Sequence, residues 1–521
     1  MNALPSTAAG RPIADGATPI RLVLGAEAET QRLGEALAMM LRAGDVVTLQ
    51  GDLGAGKSTL ARALIRSLAG EPALEVPSPT YTLVQTYETS PPVAHLDLYR
   101  LGDPAELDEL GFEELAGNGI VLCEWPERAP QAFADAALQL ELVSDGAGRL
   151  LLASGRPEAL DRLARSLALT RFLETLPAPV TERRRLFGDA SIARRYETAR
   201  YGGEAVIVMD APARPLGPPI RDGLPYSRLA HLAEDVVPFV AVDMLLRARG
   251  LAAPRILAAD LGQGFLVIEH LGIETMLGPD GAPVPERYEA TALVLAELHG
   301  APVDPVVPVA EGLTHTVPPF DRTAMGIEVE LLLDWSFPDR FGRPATDAER
   351  ERFLAVWNDL FARLDETETS ILLRDVHSPN VIWRGEREGT DRVGLIDFQD
   401  AMIGPTAYDL ASLAQDARVD IAPELEARLV ASYCAARRAQ GSGFDAEAFE
   451  EAYAIMAAQR ATKILGIFVR LEKRDGKPYY RRHLPRLQAY LRRTITHPAL
   501  ASLRELYDEW GVLIAPDHPK G

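Results

Sequence analysis

Two stretches of this 521-residue chain carry residues of the types and spacing that phosphate chemistry uses. The first is GDLGAGKS at residues 51–58, which satisfies G-x-x-x-x-G-K-[ST]. In that pattern the backbone N–H groups of a glycine turn converge on a nucleotide β-phosphate and the following helix N-terminus adds positive potential. The lysine reaches the β- and γ-phosphates, and the hydroxyl ligates Mg²⁺. Gly51, Gly54, Ala55, Gly56, Lys57, Ser58 and Thr59 are therefore the candidate cradle for ATP. The competing reading is a glycine turn that binds nothing. Downstream, Asp97 in AHLDLYR and Glu124 in LCEWPER each end a strand-like run, where a carboxylate can position water or metal. A surface carboxylate would give the same pattern.

The second stretch is LLRDVHSPNVIW at 372–383, followed by GLIDFQDA at 394–401. A kinase needs a carboxylate to orient the attacking hydroxyl, plus an amide and a second carboxylate to hold magnesium against the ATP phosphates. Asp375, Asn380 and Asp397 supply that set, with Asn380 and Asp397 as metal ligands. Two polar turns flanking strands are the alternative. The occurrence of both motifs, in order and close together, favours a kinase-like lobe.

These groups need elements to hold them. VVTLQ (46–50) reads as a strand and STLARALIRSLAG (58–70) as a helix ending at Gly70, so the glycine loop has the flanks it requires. Strands are expected at 82–88, 93–99 and 120–125, and the region closes near residue 155. From 157, PEALDRLARSLALTRFLETL is helix-forming and starts something new. ARRYETARYGGEAVIVMDAP (193–212) reads as two strands around a Gly-Gly turn, and GFLVIEHLG (264–272) as a buried strand running into a connector. From 286 the pattern is largely helical, broken by a Pro-rich stretch at 302–319.

Length predicts two or three domains. No apolar run approaches the roughly 20 residues that span a bilayer, and the N-terminus lacks the pattern of a secretory signal; a cytoplasmic location is the expectation. A net charge of −21 argues against broad direct binding of nucleic acid, so an anionic substrate needs a local cationic or metal-bearing pocket. Cys123 and Cys434, far apart, indicate neither a disulfide framework nor a cysteine zinc site.

GDLGAGKSTL, VPSPTYTLVQTYE (76–88), HLDLYRL (95–101), ELDELGFEEL (106–115) and CEWPERAP (123–130) resemble, in order, the TsaE family of bacterial ATPases. The resemblance covers about 20–153. It implies a role in threonylcarbamoyladenosine modification of tRNA, through ATP turnover in complex with the threonylcarbamoyl-transferase proteins. It also implies that Lys57 is the phosphate lysine, that Ser58 and Glu124 are magnesium ligands, that Asp97 is a second acid near the metal, and that Thr80 senses nucleotide.

The second half resembles the aminoglycoside phosphotransferase superfamily, with its bilobal protein-kinase-like fold. That family's loop reads H-G-D-x-H-x-x-N, whereas Leu373 and Arg374 stand here in place of His and Gly. GDASIARRYETAR (188–200), VMDAP (208–212), FLVIEHLG (265–272) and QRATKILGIFVRLEKRDGKPYY (459–480) look like the AmgK group of N-acetylmuramate and N-acetylglucosamine kinases. The resemblance implies Asp375 as catalytic carboxylate, Asp409 as a structural partner of the loop, and backbone hydrogen bonds to adenine from the connector IEHL at 268–271, which includes Glu269 and His270. VIVMDAP offers no third-strand lysine, so Arg194 or Arg195 is the expected substitute.

The expected architecture is an α/β P-loop NTPase domain followed by a bilobal α+β protein-kinase-like domain. Expected bounds are a tail at 1–19, the ATPase at 20–155, the kinase at 157–505 (small lobe 157–272, large lobe 273–505) and a tail at 506–521. The expected function is bifunctional: an ATPase acting with the transferase complex, and a kinase for the anomeric hydroxyl of an amino sugar, both using ATP and Mg²⁺. An aminoglycoside acceptor, or one domain acting only as a nucleotide-controlled binding module, are the alternatives. The two activities are expected to be independent.

Overall fold

The computed structural model describes residues 19–145, 148–186, 194–441 and 443–514. Residues 1–18 of the tail expected at 1–19, residues 188–193 of GDASIARRYETAR and residues 515–521 of the tail expected at 506–521 lie outside them. The described residues divide into two compact units, one holding 19–211 and 258–268, the other 212–257 and 269–514.

In chain order the first unit opens with β1 (Ile20–Leu24), α1 (Glu27–Met40), β2 (Val46–Gln50), α2 (Lys57–Ala69), β3 (Val84–Tyr87), β4 (Val93–Asp97), β5 (Ile120–Glu124), β6 (Leu138–Asp145) and β7 (Gly148–Gly155). They form one sheet in the order β1-β7-β6-β2-β5-β4-β3. β2, β4 and β5 are mostly apolar and buried along nearly their whole length, the pattern of parallel strands covered on both faces. β2 runs parallel to β5 and β6, and β4 parallel to β5. In the β4–β5 register Asp97 lies opposite Glu124. Both carboxylates therefore sit at the carboxyl edge of the sheet, where β2 also ends and where ligands of such sheets bind.

A connecting helix, Pro157–Glu174, follows β7. The sequence marks it as the start of a new region, and the boundary expected at 155/157 falls inside the first unit. Its Ala159, Leu160 and Leu163 belong to the same core cluster as Leu60, Leu64 and Ile65 of α2. Ser166 donates to the Ala36 carbonyl at 2.7 Å, and Arg162 pairs with Asp45 at 2.6 Å. The physical reason is the apolar stripe at 159, 160 and 163, which needs a partner surface.

β8 (Val180–Leu186), β9 (Arg195–Tyr201) and β10 (Glu204–Asp210) continue a second sheet with the strands Phe265–Glu269 and Ile256–Asp260. Arg184 of β8 donates to the carbonyl of Gly70, the left-handed C-cap of α2, at 2.6 Å, and Arg185 donates to the Leu41 carbonyl at 2.9 Å.

The second unit is mostly helical, around the long helix Ala446–Lys473. Residues 506–509, expected as the start of a tail, close the helix Ala501–Glu509, where Leu503, Leu506 and Tyr507 are buried at helical spacing. Cys123 and Cys434 are both buried, one in each unit. Among the described residues no helix is long and apolar enough to cross a membrane.

Candidate active sites

Leaving β2, the chain turns through Gly51–Gly56 and enters α2 at Lys57. Gly54 and Gly56 take φ values of +82° and +105°, which glycine adopts without steric cost. Lys57 is buried, and its Nζ donates to the carbonyls of Gly51 (2.6 Å) and Asp52 (3.0 Å), with the Trp125 ring 3.9 Å away. Burial pushes this ammonium down, while Glu124, Glu127, Asp97 and Asp52 pull it back up. Ser58 Oγ donates to Glu124 Oε2 at 3.1 Å, and Glu124 Oε1 lies 3.0 Å from His95 Nε2. Asp97 Oδ2 accepts from Ser78 Oγ (2.6 Å) and Thr80 Oγ1 (2.8 Å), and its Oδ1 from the Tyr99 N–H (3.0 Å).

The fold thus gathers Lys57, Ser58, Thr80, Asp97 and Glu124, with Ala55 buried in the loop and Thr59 in the first turn of α2. The site also contains residues the sequence reading passed over. His95 and Asp97 are two apart on β4 and so share a face; that periodicity was a usable signal. Ser78 stands inside the PSPT loop at 77–80. Arg149, near the start of β7, packs against Gly56, where an added Cβ would meet its Nε at 2.9 Å. No local spacing links residues 93 apart. The hydroxyl of Ser58 and the carboxylate of Glu124 are hard oxygen donors side by side, which fits Mg²⁺ with a nucleotide phosphate.

In the second unit two antiparallel ladders are nested: Thr369–Leu372 pairs with Met402–Pro405, and Val381–Trp383 with Val393–Leu395. Nesting lays the loop at 373–380 beside that at 396–401. Asn380 Nδ2 donates to the Asp375 carbonyl at 3.0 Å and to Asp397 Oδ2 at 3.3 Å, and Gln399 Nε2 donates to Asp397 Oδ1 at 3.0 Å. Asp409 accepts from the N–H groups of Leu373 (2.6 Å) and Arg374 (2.9 Å), and Asp416 from that of Ser378 (2.7 Å). Two buried carboxylates thereby fix the loop's backbone.

Burial pushes the Asp375 carboxyl up, but Lys463, His377, Arg374 and Arg460 outweigh it and hold the group below the usual carboxylate range. It is ionised at neutral pH. His377 is pushed down to about 4 by burial and then by Arg418, whose Nη1 lies 3.3 Å from its Nε2. A neutral, enclosed imidazole braces the loop. Asn380 and Asp397 offer an amide and a carboxylate, which suit magnesium in this chemistry.

Arg374 explains the departure from H-G-D. It keeps a left-handed φ of +72°, the conformation a glycine would favour there. Its buried guanidinium pairs with Glu328 and donates to the Ala230 carbonyl at 2.9 Å, and Lys463 reaches Glu328 at 2.8 Å. A residue in that backbone region costs on the order of 1–3 kcal/mol, which this network offsets.

Arg195, an expected phosphate ligand, lies opposite Asp210 in the β9–β10 register and forms an ion pair with it. Arg165 of the connecting helix holds the other oxygen of Asp210 at 2.7 Å. Arg194 immediately precedes β9. Glu269 pairs with Arg255 at 2.9 Å, and His270 Nδ1 accepts from the Gly272 N–H at 3.1 Å.

Comparison with known proteins matches both halves. The profile of the family "Threonylcarbamoyl adenosine biosynthesis protein TsaE" matches residues 24–150, and that of the "Phosphotransferase enzyme family" matches 185–444. The N-acetylmuramate/N-acetylglucosamine kinase of Caulobacter vibrioides is 37% identical over 362 residues, covering 66% of this chain and 96% of that protein. The tRNA threonylcarbamoyladenosine biosynthesis protein TsaE of Aquifex aeolicus is 37% identical over 125 residues, covering 24% of this chain and 88% of that protein. The chain belongs to both families. A TsaE protein of Rickettsia felis is 47% identical over 107 residues, 20% of this chain and 62% of that protein. The Gly51–Thr59 loop lies within the TsaE match, and Asp375, Asn380 and Asp397 lie within the phosphotransferase match.

Proposed function

We propose that this chain is a bifunctional enzyme. Its kinase centre transfers the γ-phosphoryl group of ATP to the anomeric hydroxyl of N-acetylmuramic acid or N-acetylglucosamine, and its P-loop centre turns over ATP in support of tRNA threonylcarbamoyladenosine formation. The observation that carries the kinase reading is the ionised Asp375 held beside Asn380 and Asp397 by backbone bonds to Asp409 and Asp416. Asp375 accepts the proton of the sugar hydroxyl as its oxygen bonds to the γ-phosphorus and the bond to the ADP oxygen breaks. Asn380 and Asp397 would hold the magnesium, which, when bound, offsets charge on the phosphates. Arg194 or Arg195 is proposed as the phosphate contact in place of a third-strand lysine, and at least one of Arg194→Ala and Arg195→Ala should raise the KM for ATP.

On the ATPase side Lys57 exchanges its two carbonyl partners for phosphate oxygens, and Ser58 with Glu124 would hold the metal. The threonylcarbamoyl-transferase proteins are the proposed partners, in the cytoplasm. The test offers the full chain N-acetylmuramic acid, N-acetylglucosamine and kanamycin in parallel, with Asp375→Asn as blank. Formation of a sugar 1-phosphate that disappears in the variant is expected; phosphorylation of kanamycin alone would refute the sugar reading. ATP hydrolysis with and without the transferase proteins, against Lys57→Ala, tests the second activity.

A further inference from the structure

Beside the catalytic loop of the second unit lies an open cleft of about 580 Å³ whose walls are the loop at 227–238, the hairpin Val306–Thr316 and residues 399–401. Its size is that of a small-molecule site. Three bonds tie its walls to the phosphoryl-transfer residues. Arg374, adjacent to Asp375, donates to the Ala230 carbonyl at 2.9 Å. Asp400 Oδ1 accepts from the Ala233 N–H at 2.7 Å. Gln399, which lines the cleft, donates to Asp397 at 3.0 Å.

The lining is polar, with little net charge. Thr314 and Thr316 contribute hydroxyls and His315 an imidazole, while the Ser227 hydroxyl of the wall is enclosed. Of the two acids, Glu234 pairs with Arg228 at 3.1 Å, and Asp235 accepts from the Val237 N–H at 2.8 Å as the next helix begins. Burial pushes the His315 imidazole down, with Asp235 opposing, so it is a neutral donor and acceptor at physiological pH. A polycationic acceptor would need unpaired carboxylates here; a sugar needs hydroxyls, imidazoles and amides. His231 Nε2 is enclosed, 3.6 Å from Asp321 Oδ2. His231 holds a left-handed φ of +50°, and strain of that kind collects at ligand sites.

We infer that this cleft is the acceptor subsite, which hydrogen-bonds the ring hydroxyls and acetamido group of an N-acetylated pyranose through Thr314, His315 and Gln399 and directs its anomeric hydroxyl toward Asp375. The inference rests on the kinase reading above and specifies where its substrate sits.

The test uses the full chain with His315→Ala and the space-filling Thr314→Trp. Expected is a rise of tenfold or more in the KM for both N-acetyl sugars, with the KM for ATP and the kcat within about threefold of wild type. His315→Gln, which keeps a hydrogen-bonding side chain, should recover most of the loss, which a folding defect would not allow. Calorimetric titration of N-acetylglucosamine into Asp375→Asn protein, with and without His315→Ala, should show the same weakening without turnover. If wild type transfers phosphate to the sugars and the variants keep its sugar KM, the subsite is overturned alone. If wild type phosphorylates neither sugar, the function reading fails and takes the subsite with it.

Discussion

Cutting the chain between Arg156 and Pro157, at the boundary read from sequence, should damage the kinase fragment. The connecting helix buries Leu163 fully and Leu160 to 8% exposure against α2 and its neighbours. Exposing two leucines costs roughly 3–6 kcal/mol, and the lost Ser166, Arg184 and Arg185 bonds to main-chain carbonyls add about 1 kcal/mol each. Against a typical total of about 5–15 kcal/mol that is a large fraction. A purified fragment of residues 157–521 should therefore melt on the order of 10 °C below the corresponding transition of the full chain, and should lose phosphoryl transfer faster at 37 °C. In the intact chain, Leu163→Ala should cost about 2–5 kcal/mol and lower the same transition. A fragment as stable as the full chain, or a silent Leu163→Ala, would refute the claim that the helix belongs to the ATPase core.

Three further outcomes follow from the buried charges. Trp125, against the Lys57 ammonium, should change fluorescence on ATP or ADP binding, and Lys57→Ala should abolish that signal while sugar phosphorylation persists; loss of both activities would contradict independence. Glu328→Gln should destabilise by about 3–5 kcal/mol, because it strands the buried Arg374 and Lys463, and should slow phosphoryl transfer; urea denaturation with activity assays checks both. Burial pushes Asp243 up to about 7, with Arg247 opposing and Glu269 adding, and its Oδ1 has no hydrogen-bond partner. The folded chain therefore holds a proton that the unfolded chain releases near pH 4. The stability this confers is present at low pH and is lost as pH rises through about 7, by at most about 4 kcal/mol. Asp243→Asn should flatten the fall in Tm between pH 5 and 7, and an unchanged slope would refute the assignment.

What the sequence revealed and what it hid divide by distance along the chain. The Gly51–Thr59 cradle and the Asp375/Asn380 loop are legible because their geometry is set within one turn of backbone. Asp97 and Glu124 are legible as strand ends, but only the parallel register of β4 and β5 shows that they are neighbours. The Arg374–Glu328–Lys463 network is hidden, since its members come from three distant segments. The pairing of Arg195 with Asp210 was recoverable: a hairpin turning at Gly202-Gly203 sets residue 195 opposite 210. The placement of the connecting helix was not, because an amphipathic stripe shows that a helix needs a partner surface without showing which one.

The two cysteines give the molecule a pair of built-in reporters. Cys123 lies in β5 beside Glu124 with its thiol pushed well up by burial, and Cys434 is buried in the other unit and pushed up to about 11. Neither thiol can react with a labelling reagent until the structure around it opens, since the thiolate is the reactive form. The rate at which each sulfur is captured under native conditions therefore measures how often its own unit opens. One unlabelled chain thus carries a separate clock for each half, readable by mass spectrometry without introducing a single substitution.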